Sequence, residues 1–241
     1  MLQKTRGIVF HTVNYSETSI VAKIYTESFG LQSYLLKGIK SRKSQLKPVF
    51  FQPLNLLELV VYRKEKTTLH TIKEARLAAL YQTISGDIRK SSIAIFLNEL
   101  VYKSIREEES NVPLFEFLWH AFLWLDAMED HFLSFHLLFA LKFCKYLGFQ
   151  PQSNRDEGNR FFHLREGTFQ PVFFSGGDFL DETESAWMDK LNHVPLEQLS
   201  QLYIPLPVRN NLLDKVILYY RLHLPGFKGI QSVEVLRTVL S

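Results

Sequence analysis

Residues 18–38 read TSIVAKIYTESFGLQSYLLKG. Ile20, Val21, Ile24 and Tyr25 are β-branched or aromatic, and the run breaks at Ser28-Phe29-Gly30, a turn signal, before a second run that ends at Gly38. Upstream, Val9 and Tyr15 lead into another turn at Ser16-Glu17. Downstream, residues 49–64, VFFQPLNLLELVVYRK, form a long apolar stretch that holds Pro53. Proline cannot donate to a strand ladder, so a bulge or a sheet edge is expected there. The pattern predicts strands over 5–14, 18–26, 30–38, 49–63 and 67–77.

Five short strands in so few residues suggest a small closed barrel, for which the OB-fold is the commonest architecture. The pattern changes at Ser85-Gly86-Asp87, where Ser85 or Asp87 is available as a helix N-cap. From Ile88 to Ile105 apolar residues recur at helical spacing, and Phe115, Trp119, Phe122 and Leu125 form a second helical stripe. Residues 131–149, HFLSFHLLFALKFCKYLGF, are apolar almost all round, which predicts a buried central helix with Gly148 as its C-cap. RFFHLREGTFQPVFF, residues 160–174, reads as a hairpin turning at Glu166-Gly167. Helical patterns resume near 182–192, 195–201, 208–222 and 231–240. The fold class expected is multi-domain, β followed by α: a barrel over residues 1–80, then an all-α domain over 81–241 with a small hairpin insertion at about 149–181.

Apolar residues make up 46% of the chain, with 20 Phe and 10 Tyr, enough for a sizeable core. No run approaches the roughly 18 uninterrupted apolar residues of a membrane span, and the N-terminus lacks the apolar core of a signal peptide, so a cytoplasmic protein is expected. A single cysteine, Cys144, excludes an internal disulfide and a multi-cysteine metal site. The net charge of +3 is unevenly divided. Residues 1–80 hold 13 Lys and Arg against 5 Asp and Glu, a net of +8, and residues 81–241 carry a net of −5. Such segregation speaks about partners: the first part should attract a polyanion and the second should not.

The candidate contacts follow from this. Lys37, Lys40, Arg42, Lys43 and Lys47 stand in one stretch without an acid, spaced by Gly38, Ser41 and Ser44, and Arg63 and Lys64 add charge after the fourth strand. Flexible cations between barrel strands can follow a phosphate backbone. Tyr34, Phe50, Phe51 and Tyr62 lie nearby; an exposed ring can stack on a base, although alternation along a strand sends most such rings to the core. The eight histidines are scattered and no H-E-x-x-H occurs, so no metal site is expected. No phosphate-binding glycine loop and no nucleophile elbow occur either. In the helical part, Arg209, Lys215, Arg221 and Lys228 are cations that, beside an apolar pocket, would suit an acidic tail with an apolar tip; solvated surface charge is the alternative.

The ordered set T-R-G-I-V-F at 5–10, S-E-T-S-I-V at 16–21, Y-T-E-S-F-G at 25–30, G-I-K-S-R-K-S-Q-L-K-P at 38–48, Phe51-Gln52-Pro53-Leu54, Leu57-Glu58-Leu59, Ile72-Lys73-Glu74-Ala75 and Tyr219-Tyr220-Arg221-Leu222-His223-Leu224 with Lys228 and Ser232 resembles the RecO family of recombination mediators. The resemblance implies an N-terminal OB-fold, a helical C-terminal domain, and a non-enzymatic role in DNA repair and homologous recombination. It further implies binding of single-stranded and possibly double-stranded DNA, strand annealing, contact with the acidic tail of single-stranded-DNA-binding protein (SSB), and action with RecR to help load RecA. Nucleoid association follows from the same likeness. Many members hold zinc through four cysteines after the central helix. Residues 149–181 contain none, so no cofactor is expected here, and Phe161, Phe162, Phe169, Phe173 and Phe174 are expected to pack in the metal's place. Three rival readings stand beside this one: an RNA-binding OB-fold module, a non-catalytic protein scaffold, and a metal-dependent nuclease, against which the absent ligand spacing argues.

Overall fold

The computed structural model describes residues 2–41, 46–63, 67–106, 108–175 and 178–241. By contact the chain divides into two compact units: residues 1–82 with 101–126, and residues 83–100 with 127–241.

The first unit is built on five strands, β1 (Leu2–Asn14), β2 (Ile20–Thr26), β3 (Gly30–Leu36), β4 (Leu56–Tyr62) and β5 (Leu69–Leu77). They close into a barrel in the order β1-β2-β3-β5-β4, antiparallel except where β3 meets β5. Alternation decides which side chains fill it. Ile20, Ala22 and Ile24 of β2 point inward with Tyr34 and Leu36 of β3, Leu57, Leu59 and Val61 of β4, and Ile72 of β5. Full burial of one such aliphatic side chain stabilises by about 1.5–3 kcal/mol. At the β2–β3 turn Gly30 has φ +65°, and a Cβ there would come within 2.2 Å of the Glu109 carbonyl oxygen, so only glycine fits.

The stretch 49–63 is not one strand. Pro48–Phe51 form a 3-10 turn whose Phe51 ring enters the barrel core. Leu54 then takes φ +73°, and β4 begins only at Leu56. The turn is closed by Asn55, whose side-chain amide donates to the carbonyls of Val49 at 2.8 Å and Phe50 at 3.1 Å. Pro53 therefore sits ahead of the strand, where its missing N–H costs no ladder bond. The barrel's irregularities lie elsewhere, between Val9 and His11 on β1 and between Val60 and Val61 on β4.

Helix α1 (Ile88–Ser104) starts at Asp87, whose Oδ1 accepts from the Arg89 N–H at 2.8 Å. The Arg89 guanidinium on the same carboxylate holds its pKa down to about 2. Helix α2 (Val112–Ala127) belongs by contact with the barrel, although the change of sequence pattern near residue 81 assigns it to the helical domain. Phe115, Trp119, Phe122 and Leu125 of α2 are all buried, as their spacing suggests.

The second unit is organised round α3 (Phe135–Tyr146), α4 (Glu182–His193), α5 (Leu206–His223) and α6 (Val233–Leu240). Helix α3 ends in a Schellman arrangement: Gly148, at φ +84°, donates to Lys145, and Phe149 donates to Cys144. An α4 capping box joins Asp181 and Glu184. A chain of rings runs through the core, from Phe135, Phe139 and Phe143 to Tyr220, Phe149 and Tyr219. The hairpin of β6 (Phe161–His163) and β7 (Thr168–Gln170) joins it through Phe162, whose ring lies 5.0 Å from Phe169 and 5.8 Å from Tyr219.

Candidate nucleic-acid interface

The β-register builds one continuous outer face on the barrel. Directly paired residues share a face, and His11 pairs with Lys23, Lys23 with Ser33, and Ser33 with Leu69. A parallel row runs Val13, Val21, Leu35, Thr71 and Tyr62. The inward set of Ile20, Ala22 and Ile24 forces Val21 and Lys23 to point out. Tyr62, 45% exposed, closes the second row with its ring on the same side as Lys23's row. OB-fold barrels bind oligonucleotides on the outer face of strands two and three, between the flanking loops.

At one end of this face stands the β1–β2 turn. Tyr15 is 64% exposed there. Lys40 is held over the turn by two bonds, its backbone N–H to the Thr18 carbonyl at 3.2 Å and its Nζ to Asn14 Oδ1 at 2.9 Å. Lys37, exposed, directly follows the Leu36 that pairs with Ile20. Lys47 is exposed at the start of the 3-10 turn. At the other end, Arg63 follows β4 and lies over the Phe29 ring at 4.8 Å. It is close enough to His70 to join burial in pushing that imidazole's pKa down. The two ends are separated by the seven residues of β2, roughly 20 Å at about 3.3 Å per residue, with Lys23 midway. Arg42, Lys43 and Lys64 lie outside the described residues.

The aromatic candidates separate cleanly. Tyr34 and Phe51 are core, each 1% exposed, Phe50 packs half-buried against them, and Tyr62 faces out. Lys23, Val13 and Tyr15 join the face without having been singled out by charge or motif. Period-two alternation through Ile20, Ala22 and Ile24 carries the signal for Lys23. A hollow of about 550 Å³ on the β1–β4–β5 side of the barrel is charge-balanced. There Arg76 donates to Glu58 at 2.7 Å and Arg6 to Glu27 at 2.8 Å, so it offers a polyanion little.

The four cations of the second unit are not gathered. Arg209 is 5% exposed, and its Nη2 donates to the Leu240 carbonyl. Lys215 reaches the Phe179 carbonyl at 3.4 Å. Arg221 lies against Gly229, so that a Cβ there would come within 2.6 Å of its Nη2, and Lys228 is exposed beside it. Arg209 lines a cleft, about 290 Å³ in volume, whose walls include Arg89, Glu129, Asp130, Phe132, Leu202 and Ile204. Burial, with Arg209 near, lowers the His136 pKa to about 3, so that side chain is neutral.

Zinc does not fit the residues present. Cys144 is buried, its thiol donates to the Ala140 carbonyl at 3.2 Å, and burial pushes its pKa well up, away from the thiolate a metal needs. Among the described residues no three His, Cys, Asp or Glu side chains are placed to hold a metal ion. In the hairpin, Phe162 and Phe169 are buried and Phe161 is half-buried. Phe173 and Phe174, expected to pack with them, are 41% and 62% exposed.

A closed five-stranded barrel of this order, in a chain whose remainder is largely helical, defines an OB-fold protein. Residues 1–81 match the family described as Recombination protein O N terminal, and residues 85–229 match Recombination protein O C terminal. The chain is 39% identical over 241 residues to the DNA repair protein RecO of Phocaeicola vulgatus, covering all of both chains. It is 39% identical over 239 residues to that of Flavobacterium psychrophilum, covering 99% of each, and 36% identical over 240 residues to that of Bacteroides fragilis strain YCH46, covering 98% of each. The chain belongs to the RecO family of DNA repair proteins. Among the described residues no helix is long and apolar enough to cross a membrane.

Proposed function

We propose that the barrel binds single-stranded DNA on the β2–β3–β5 face and anneals complementary strands. The observation that carries this is the paired row ending in Tyr62 beside the row holding Lys23, flanked by Tyr15, Lys37 and Lys40. Exposed rings supply sequence-tolerant stacking, and the lysines neutralise phosphate. Two strands whose charge is lowered in this way approach without mutual repulsion, which is the physical content of annealing. Double strands would be held by the same cations through phosphate alone.

The cleft at Arg209 is the second element of the proposal. The cleft sets the half-exposed Arg89 near Phe132, Leu202 and Ile204, with Glu129 and Asp130 also in its walls and Arg209 buried at its side. Such a mix of cation and apolar surface would receive an apolar side chain, and a carboxylate at the Arg89 end. We assign it to the acidic tail of SSB, the partner that the family likeness suggests. Work with RecR to load RecA onto SSB-coated DNA, in the cytoplasm at the nucleoid, completes the proposal and rests on that likeness alone. We further propose that the aromatic hairpin does the structural work of the zinc module, through Phe162 and Phe169.

The test is an annealing assay with two labelled complementary oligodeoxynucleotides, run beside anisotropy competition between DNA and RNA of one sequence. Faster annealing and preference for DNA are expected. Equal or stronger binding of RNA would support an RNA-binding module, because the 2′-hydroxyl is then tolerated or read. No retention of either at low salt would leave a protein scaffold.

A further inference from the structure

Strand β1 carries one residue more than its partner needs, and the surplus re-aims a side chain. Gly7 and Val9 face the barrel interior: a Cβ on Gly7 would come within 2.7 Å of Ile24 and 2.9 Å of Leu59, and Val9 is part of the core. Strict alternation would send residue 11 the same way. The register shifts instead, with Val9 opposite Ile24 but His11 opposite Lys23. Phe10 is the extra residue, and its ring is buried against Tyr25 at 5.7 Å. His11 is thereby turned to the outer face, exposed and directly opposite Lys23, while Thr12 pairs with the inward Ala22. Bulges of this kind recur beside functional sites, where they re-aim a side chain.

The re-aimed ring is also held. Tyr102, near the end of α1, lies against it with ring centroids 5.1 Å apart and planes 25° from parallel. Tyr102 is half-buried and belongs by contact to the barrel unit. Stacked rings at this separation attract, so Tyr102 keeps the imidazole in one orientation at the surface. A side chain ordered in advance costs little further entropy when a ligand uses it. The neighbours indicate the ligand. Lys23 stands opposite His11, with Cβ atoms about 4.5–5.5 Å apart in such a pair, and the row continues through Ser33 to Leu69 without an acid. A flat ring for a base beside a cation for a phosphate fits one nucleotide.

We infer that His11, backed by Tyr102, is a base-stacking platform, and that it is the part of the barrel face that favours single-stranded over double-stranded DNA. The platform rests on the proposed DNA-binding face and adds to it a contact with bases. Lysines grip the phosphates of either form. A base inside a duplex is already stacked and paired, and only an unpaired one can lie on a protein ring.

The test is binding of the full chain to three labelled ligands of equal length at one salt concentration: a single strand, a duplex, and a single strand of abasic sites. His11→Ala should weaken binding of the single strand at least about fivefold and leave the duplex and the abasic strand unchanged. Tyr102→Ala should show a smaller loss of the same kind. His11→Phe should keep the single-strand preference, because a ring is required and a charge is not. Equal weakening of all three ligands by His11→Ala overturns the platform, since His11 then acts through charge or through the fold. Binding like wild type overturns it as well, and so does a His11→Phe protein that behaves as His11→Ala. Lys23, Lys37 and Lys40 changed together to Ala, run alongside, report on the face itself. If that variant weakens all three ligands while His11→Ala does nothing, the platform falls and the DNA-binding face stands. If it binds all three like wild type, the proposed face falls, and a loss confined to the single strand in His11→Ala would still support stacking on this ring.

Discussion

Arg6 leaves β1 and places its guanidinium on both Glu27 oxygens, at 2.8 and 2.9 Å, while also reaching Glu116 of α2. Its guanidinium carbon lies 5.1 Å from the Phe115 and Trp119 ring centroids. One side chain thus ties β1, the β2–β3 turn and α2 together, by charge and by ring contact. With about a third of the ion pair still exposed, the network is screened, and Arg6→Met should cost about 1–3 kcal/mol in chemical denaturation. The bond from Arg6 holds the Glu27 carboxyl below its ordinary pKa. A depressed folded-state pKa contributes stability above the unfolded value and loses it as pH falls through the folded one. The wild type should therefore lose this contribution below about pH 4, and Arg6→Met should show a shallower acid dependence over that range. Parallel acid profiles of the two would contradict it. None of this is legible in the sequence: Arg6, Glu27 and Glu116 are far apart along the chain, and no local pattern marks them as partners.

At the scale of elements, the sequence speaks most clearly where period and turn chemistry agree. β2 and β3 lie within the expected ranges because alternation and the Ser28-Phe29-Gly30 turn point the same way. The stretch before β4 misleads because its apolar residues serve two elements: Phe51 fills the barrel from a 3-10 turn, and Leu56 begins a strand. The face is partly legible. Net charge singles out the barrel, and alternation exposes Lys23, but the denser cations near residue 40 point to a loop. Arg209 reads as a surface cation because burial by α6 and the cleft walls is a tertiary fact. The hairpin carries a sharper expectation. Phe162 is fully buried between Phe169 and Tyr219, so Phe162→Ala should cost about 3–5 kcal/mol. A strong zinc chelator should leave the melting temperature of the wild type unchanged. A chelator-induced drop, with Phe162→Ala tolerated, would show that a metal rather than ring packing holds this segment.

For the whole molecule, the segregation of charge matters more than its sum. A chain of net +3 with no segregation would attract a polyanion weakly everywhere; on the proposed reading, concentrating +8 in residues 1–80 would let one region carry the affinity while the remaining −5 keeps the rest clear. Binding dominated by phosphate neutralisation has a signature that a protein scaffold does not share, a salt slope set by the number of neutralised phosphates. The direct measurement is the affinity of a labelled single strand across a salt series, for wild type and for Lys23, Lys37 and Lys40 changed together to Ala. Each phosphate left without its lysine takes about 0.7 off the slope, so the variant should fall short of the wild-type value by about 2. An identical slope in the folded variant would mean that the strand lies somewhere other than the β2–β3–β5 face.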